Sequence, residues 1–268
     1  MHYRIGFLGA GKMAEAMIAG LIAKNVFGKD EIVACAPSEK TRWHIEETYG
    51  VKTFPKASDM VASADILVLA VKPKQVPGLF AEEGVSVPSE TKVVSIVAGM
   101  SIETLKSYVP DSKIIRVMPN HCCMVLEGAM GYACDGSVTS GEKEEIAGIL
   151  SAVGYATEVS EDMMDAVTGI AGSSPAFMYM VIDAMADAGV LNGLSRADSI
   201  KLAAQSMLGA AKMVLETGKH PDVLKDEVCS PAGTTIVGVR ALEDAGLRSA
   251  MMDAVDSTVR KSREMGKR

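Results

Sequence analysis

Ile5-Gly6-Phe7-Leu8-Gly9-Ala10-Gly11-Lys12-Met13-Ala14 reads as a strand, a tight turn and the start of a helix. Gly9 and Gly11 stand at the G-x-G-x-x-A spacing, with Ala14 as the third small residue. In that pattern the first glycine allows the turn and the second lets backbone approach a pyrophosphate. The third small residue lets the helix pack closely on the strand. The helix that opens at Lys12 and Met13 then aims free backbone N–H groups at the phosphates. The spacing alone is weak, because glycine punctuates many turns. Its position at the head of a strand–helix series is the context that makes it a dinucleotide-binding motif.

That series runs through the first half of the chain. Short apolar runs at Arg4–Gly9, Glu31–Cys35, Ile66–Val71, Val93–Val97 and Lys113–Val117 alternate with helical patterns. The helical patterns are Lys12–Lys24, Glu39–Tyr49, Ser58–Ser63, Pro77–Glu82 and Ile102–Tyr108. Nearly all-apolar strands joined by helices imply a parallel sheet covered on both faces, a Rossmann-type doubly wound α/β fold. Two more strand-like pieces, Gly128–Ala133 and Tyr155–Val159, flank a polar helix at Gly141–Leu150 and extend the same sheet.

After about residue 160 the period changes. Pro175–Leu191, Arg196–Thr217 and Leu247–Met265 are long helical patterns. In the middle one Ile200, Ala203, Ala204, Met207, Leu208, Ala211, Val214 and Leu215 recur at three and four, making one apolar stripe. Ser195 followed by Asp198 resembles a capping box, and Gly218 closes the helix. The expected organisation is a nucleotide-binding domain at 1–160 and an all-α domain at 161–268. Three or four helices make a thin layer, so a second copy of the chain is expected to cover their Met- and Ala-rich faces.

Composition bounds the function. The chain has 268 residues, a formal net charge of −7 and only 4% aromatic residues. An acidic, aromatic-poor chain lacks both the basic stripe and the stacking rings that nucleic-acid binders use. No run approaches the roughly 18 uninterrupted apolar residues of a membrane span. The five cysteines include no C-x-x-C pair, and His121 beside Cys122 and Cys123 is too crowded to ligate a metal from one face. Free thiols, no metal and a cytoplasmic setting are the expectation.

The end of the second strand bears on which nucleotide is used. An NAD-selective site places Asp or Glu about 20 residues beyond the glycines, on the ribose 2′-hydroxyl. Here that position is Ala34-Cys35-Ala36-Pro37-Ser38, with no acid. Ser38, Lys40 and Arg42 follow and can receive a 2′-phosphate, while Glu39 lies a turn into the helix. NADPH is expected ahead of NADH, with NADH also accepted.

Further motifs carry a resemblance over essentially the whole length. They are Ala70-Val71-Lys72-Pro73, Ala98-Gly99, Arg116-Val117-Met118-Pro119-Asn120, Gly172-Ser173-Ser174-Pro175-Ala176 and Asp226–Thr235 with its Cys229-Ser230-Pro231-Ala232-Gly233-Thr234-Thr235. With Gly9–Ala14, these resemble pyrroline-5-carboxylate reductase, the NAD(P)H enzyme that makes proline. The resemblance implies hydride transfer to a cyclic imine, a helical domain interlocking with a second subunit, and often larger assemblies of dimers. It implies that Ala70, Val71, Lys72, Pro73, Ala98 and Gly99 lie along the cofactor. It also implies that Gly233, Thr234 and Thr235 hold the substrate carboxylate, the Thr235 hydroxyl bonding the ring nitrogen as the catalytic group.

Lys72 has a second reading, a lysine snorkelling from a strand end. Asn120 either lines the pocket or caps a turn, and Glu161 matches a family position near the substrate. Three departures stand out. His121-Cys122-Cys123 replaces the family's Thr-Pro-Ala, and Ala57 replaces an adenosine-contacting Asn. Ala232 replaces a glycine, which is expected to suit a backbone with negative φ. Two other functions compete: reduction of a different cyclic imine, and a nucleotide-binding dimer without catalysis.

Overall fold

The computed structural model describes residues 2–81 and 85–266. Eight strands form one sheet: β1 Tyr3–Leu8, β2 Ile32–Cys35, β3 Lys52–Phe54, β4 Ala64–Leu69, β5 Lys92–Ser95, β6 Lys113–Met118, β7 Gly128–Cys134 and β8 Gly154–Glu158. Their spatial order is β3-β2-β1-β4-β5-β6-β7-β8. Every neighbouring pair is parallel except β6 with β7. The helices of this part are α1 Lys12–Ala23, α2 Glu39–Tyr49, α3 Val76–Ala81, α4 Ile102–Tyr108, α5 Ser140–Ser151 and α6 Met164–Val167.

Alternation along the strands sends side chains to two separate cores. Ile66 and Val68 join Met17, Ile18 and Leu21 of α1 and Ile149 and Leu150 of α5 on one face. Leu67 and Leu69 join Val76, Leu79 and Leu105 on the other. With both faces covered, a strand gains from being apolar at every position, which is why these strands read as continuous apolar runs. The order 3-2-1-4-5-6 is that of the doubly wound fold, whose strand order reverses between β1 and β4.

Several elements differ from the sequence expectation. β3 was not expected: its three residues form a short edge strand that carries too little pattern to detect. The strand expected at Ile66–Val71 ends at Leu69, because Lys72 already opens a 3₁₀ turn with Pro73 at its first position. Ser58–Ser63 is two 3₁₀ turns, Ala57–Asp59 and Val61–Ser63. The helix expected at Pro77–Glu82 is α3; Glu82 itself lies outside the described residues.

The chain divides into two compact units, Met1–Ser173 with Thr258–Arg268, and Ser174–Ser257. The second holds α7 Ser174–Leu191, α8 Arg196–Thr217, α9 Pro221–Val228, α10 Thr234–Asp244 and the first part of α11 Leu247–Gly266. Helix α8 runs between the expected caps, with Ser195 Oγ accepting from Asp198 N at 3.1 Å and Gly218 left-handed at φ 63°. Helix α9 lacked a periodic stripe long enough to recognise. Within this unit only Pro175, Ala186, Ser199 and Ala203 are buried among the described residues. Tyr179, Met180, Leu202, Leu208, Val237 and Met252 are all more than half exposed. Apolar side chain exposed on this scale marks an interaction surface.

Candidate active site

The nucleotide end is built by the turn from β1 into α1. Gly9 sits at φ 100° and donates its N–H to Cys35 O at 3.0 Å. A Cβ there would lie 2.7 Å from Ala70 O, so both conformation and space demand glycine. Gly11 is different. Its φ of −77° suits any residue, and a Cβ would meet no protein atom within 4 Å. Packing makes no demand for glycine at that position, and the start of α1 is left open.

Helix starts divide along the same line. Ser38, Ser101, Thr139 and Ser195 cap α2, α4, α5 and α8 with their side-chain oxygens. By contrast, α1 begins at Gly11 and α10 at Gly233 with no side-chain cap. Their first N–H groups are therefore available to an anion.

A cavity of about 490 Å³ opens past the C-terminal ends of β1 and β2, lined by Gly9, Pro37, Ala57, Val71, Lys74 and Gln75 among others. It lies at the strand-order reversal, where open α/β sheets hold ligands. Lys74 and Gln75 line this cavity and carry no motif of their own in the sequence; the signal for them was Pro73, which starts the 3₁₀ turn they belong to. Ala70 N–H still pairs with Leu8 O at 2.9 Å. Lys72 stands three residues beyond β4 rather than at its end, is exposed, and donates its N–H to Gln75 Oε1 at 3.0 Å. Ser38 is exposed, with Oγ accepting from Thr41 N at 3.4 Å. Arg42 Nη1 donates to Ala36 O and Pro37 O at 2.8 and 2.9 Å, which ties down the β2–α2 loop.

Ala98 and Gly99 form an exposed turn after β5, with Gly99 left-handed at φ 74°. The loop they begin is held from below: Ile102 N donates to Glu161 Oε1 at 2.7 Å, and Arg116 Nη1 reaches the same oxygen at 3.2 Å. Glu161 is thus engaged at the start of α4. Asn120 is buried and caps the 3₁₀ turn His121–Val125. Its Oδ1 accepts from Cys122 N and Ala129 N at 3.1 and 3.3 Å, and its Nδ2 donates to Ala171 O at 3.1 Å. Of its two readings, the turn cap is the one seen. Burial pushes the Cys123 thiol up, and burial together with Glu158 carries Cys134 up to about 11. Such thiols stay protonated at neutral pH and make poor ligands or nucleophiles. Among the described residues no cluster of His, Cys, Asp and Glu suits a metal ion.

In the second unit, Gly233 N donates to Ser230 O at 3.0 Å across Pro231 and Ala232. Ala232, at the third position of this turn, adopts φ 57°, the sign that a type II turn takes there. The expectation of a negative φ is therefore wrong: the backbone keeps the left-handed conformation in spite of the added Cβ. A Cβ on Gly233 would force Ser230 Oγ to turn away and would press on Ser230 O at 3.1 Å, so a larger residue fits there only with adjustment. Thr234 and Thr235 follow as the first two residues of α10, both exposed. Replacing Ala232 by Gly is expected to raise stability by about 1 kcal/mol, the left-handed penalty less glycine's entropy. Urea unfolding measures it.

Two family models match this chain. "Pyrroline-5-carboxylate reductase dimerisation" covers residues 161–265, and "NADP oxidoreductase coenzyme F420-dependent" covers residues 4–99. A pyrroline-5-carboxylate reductase of Methanosarcina acetivorans is 42% identical, over 100% of this chain and 99% of its own. Among solved structures, a pyrroline-5-carboxylate reductase from Coxiella burnetii aligns with a TM-score of 0.92 at 31% identity, over 99% of both chains. A Plasmodium falciparum pyrroline carboxylate reductase with NADP bound aligns at 0.85 and 32%, over 98% of both. Identity at this level across the full length, on a doubly wound sheet with an uncapped glycine turn at its head, means that the chain belongs to the pyrroline-5-carboxylate reductase family.

Proposed function

We propose that this protein reduces 1-pyrroline-5-carboxylate to L-proline with NAD(P)H, the last step of proline biosynthesis. The observation that carries the reading is the start of α10: an uncapped, exposed helix N-terminus with Thr235 as its second residue. The substrate pairs a carboxylate with a cyclic imine. Backbone N–H groups after Gly233 suit the carboxylate, and a hydroxyl beside them suits the ring nitrogen. When bound, the reduced nicotinamide supplies the hydride.

The chain's own residues do the rest. Gly9, Gly11, Lys12 and Met13 hold the pyrophosphate, Ser38 the ribose end, and Ala70, Val71, Lys72, Pro73, Ala98 and Gly99 the length of the cofactor. Gly233, Thr234 and Thr235 grip the substrate. Thr235 keeps its hydroxyl on the imine nitrogen, which arrives protonated and leaves as an amine once its carbon has gained hydride. A protonated imine is already electrophilic, so orientation rather than a strong acid is the protein's main task. Asn120 and Glu161 enter as residues that fix the loops bordering the substrate.

NADPH is the preferred cofactor in this reading, because the β2–α2 loop offers Ser38, Lys40 and Arg42 and no acid at the strand end. The exposed apolar side chains of 174–257 support a homodimer through the helical domain, 161–268, and the same reading includes larger assemblies of such dimers. Light scattering on a size-exclusion column is expected to return at least twice the chain mass; a stable monomer excludes the dimer. The five free cysteines fit a cytoplasmic setting. No helix among the described residues is long and apolar enough to cross a membrane.

The deciding assay follows loss of reduced nicotinamide with pyrroline-5-carboxylate, with NADPH and NADH side by side. No turnover with either overturns the reading. Faster turnover of a six-membered imine transfers it to a different substrate.

A further inference from the structure

The start of α1 carries a charge arrangement that the reaction itself does not use. Glu15, one turn past Gly11, is largely buried, and its carboxylate takes three donors from two helices. Oε1 accepts from His44 Nε2 at 2.7 Å and from Tyr49 Oη at 3.3 Å, while Oε2 accepts from Lys12 Nζ at 3.0 Å. These groups flank a cleft of about 430 Å³ between the first turns of α1 and α2, lined by Gly11, Lys12, Glu15, Lys40, Trp43 and His44 among others. The cleft opens beside the β2–α2 loop, on the flank where the ribose 2′-position falls in this fold.

Lys12 would be a strong phosphate ligand there, but its ammonium is already neutralised by Glu15. Lys40 has no ion pair among the described residues. The donors around Glu15 hold its carboxyl below the usual range against the opposing effect of burial, so it is charged wherever the nucleotide is used. An approaching 2′-phosphate thus meets one free lysine, one compensated lysine and one fixed negative charge. A neutral 2′-hydroxyl is not repelled by that charge.

We propose that Glu15 sets cofactor choice: by holding Lys12 and His44 it weakens the grip of this cleft on a 2′-phosphate monoester and so keeps the enzyme open to both nicotinamide nucleotides, with Lys40 as the cation that recognises the phosphate. The inference rests on the nucleotide-binding part of the reading above and is independent of the imine.

Trp43 is the chain's single tryptophan, lies in this cleft and is 63% exposed, so its fluorescence reports occupancy. The test titrates the full-length protein with adenosine 2′,5′-bisphosphate and, separately, with 5′-AMP, which lacks the 2′-phosphate. Glu15→Gln keeps the shape and the hydrogen-bonding oxygen while removing the charge. It is expected to bind the bisphosphate roughly fivefold more tightly, with AMP changed less than about twofold, and the gain should shrink in high salt. Lys40→Met, on the exposed face of α2, is expected to weaken the bisphosphate by a similar factor and leave AMP alone. Equal shifts for both nucleotides, or none, overturn the proposal, as does a Lys40→Met protein that discriminates like the parent. Failure of imine turnover with these titrations intact sinks only the imine reading.

Discussion

Replacing Thr235 by Ala is expected to lower kcat by roughly 10²–10⁴, the range for losing a positioned proton-holding group. The fold should not notice. Thr235 is exposed and alanine is the better helix former, so stability should change by no more than about 0.5 kcal/mol. Nucleotide affinity should also hold, because the glycine turn proposed to bind it belongs to the other compact unit. The loss should therefore appear in kcat, with a smaller rise in the KM for the imine, since the helix N–H groups proposed to bind the carboxylate remain. Thr235→Ser restores a hydroxyl at the same helical position and should recover most of the rate. Steady-state kinetics of the three proteins, with their melting temperatures, decide the matter. A Thr235→Ala enzyme that turns over like the parent removes the threonine from the mechanism.

The second large effect separates two glycines that sequence treats alike. Gly11→Val should weaken nucleotide binding by roughly 100-fold. This follows from filling the space against which a pyrophosphate packs, the reverse of an interaction won by close backbone approach. The cost to the fold is limited to about 1 kcal/mol, the preference of a helix start for glycine over valine. Its backbone is unstrained and its added Cβ meets no protein atom within 4 Å. Gly9→Ala should do the opposite. At φ 100°, with Ala70 O only 2.7 Å from the new Cβ, it is expected to cost about 3 kcal/mol of stability before any ligand is considered. Calorimetric nucleotide titration and urea unfolding of both variants test the pair. Matching stability losses would show that Gly11 serves the fold rather than the ligand.

That contrast also marks where sequence reading stops. Spacing identified Gly9 and Gly11 together, and only the tertiary structure shows that the packing of the chain constrains the first and not the second. The same holds for acids. Glu161 matched a family position near the substrate, yet its carboxylate meets the backbone of Ile102 and the guanidinium of Arg116. Asn120 shares its amide with Ala129 and Ala171, nine and 51 residues away, partners that its place in the sequence did not announce. Glu15 attracted no notice in the sequence, because His44 and Tyr49 reach it from the next helix.

The sequence by itself determined the doubly wound sheet, the glycine turn, the long helices and the family, because periodicity, caps and turn residues are local properties of the chain. Helices α2, α4 and α8 fall on their expected bounds for that reason. Tertiary structure decided what each polar group near the site is bonded to, the edge strand β3 and the cleft around Glu15. Those depend on strand order and on hydrogen bonds closed between distant residues, which no local pattern encodes.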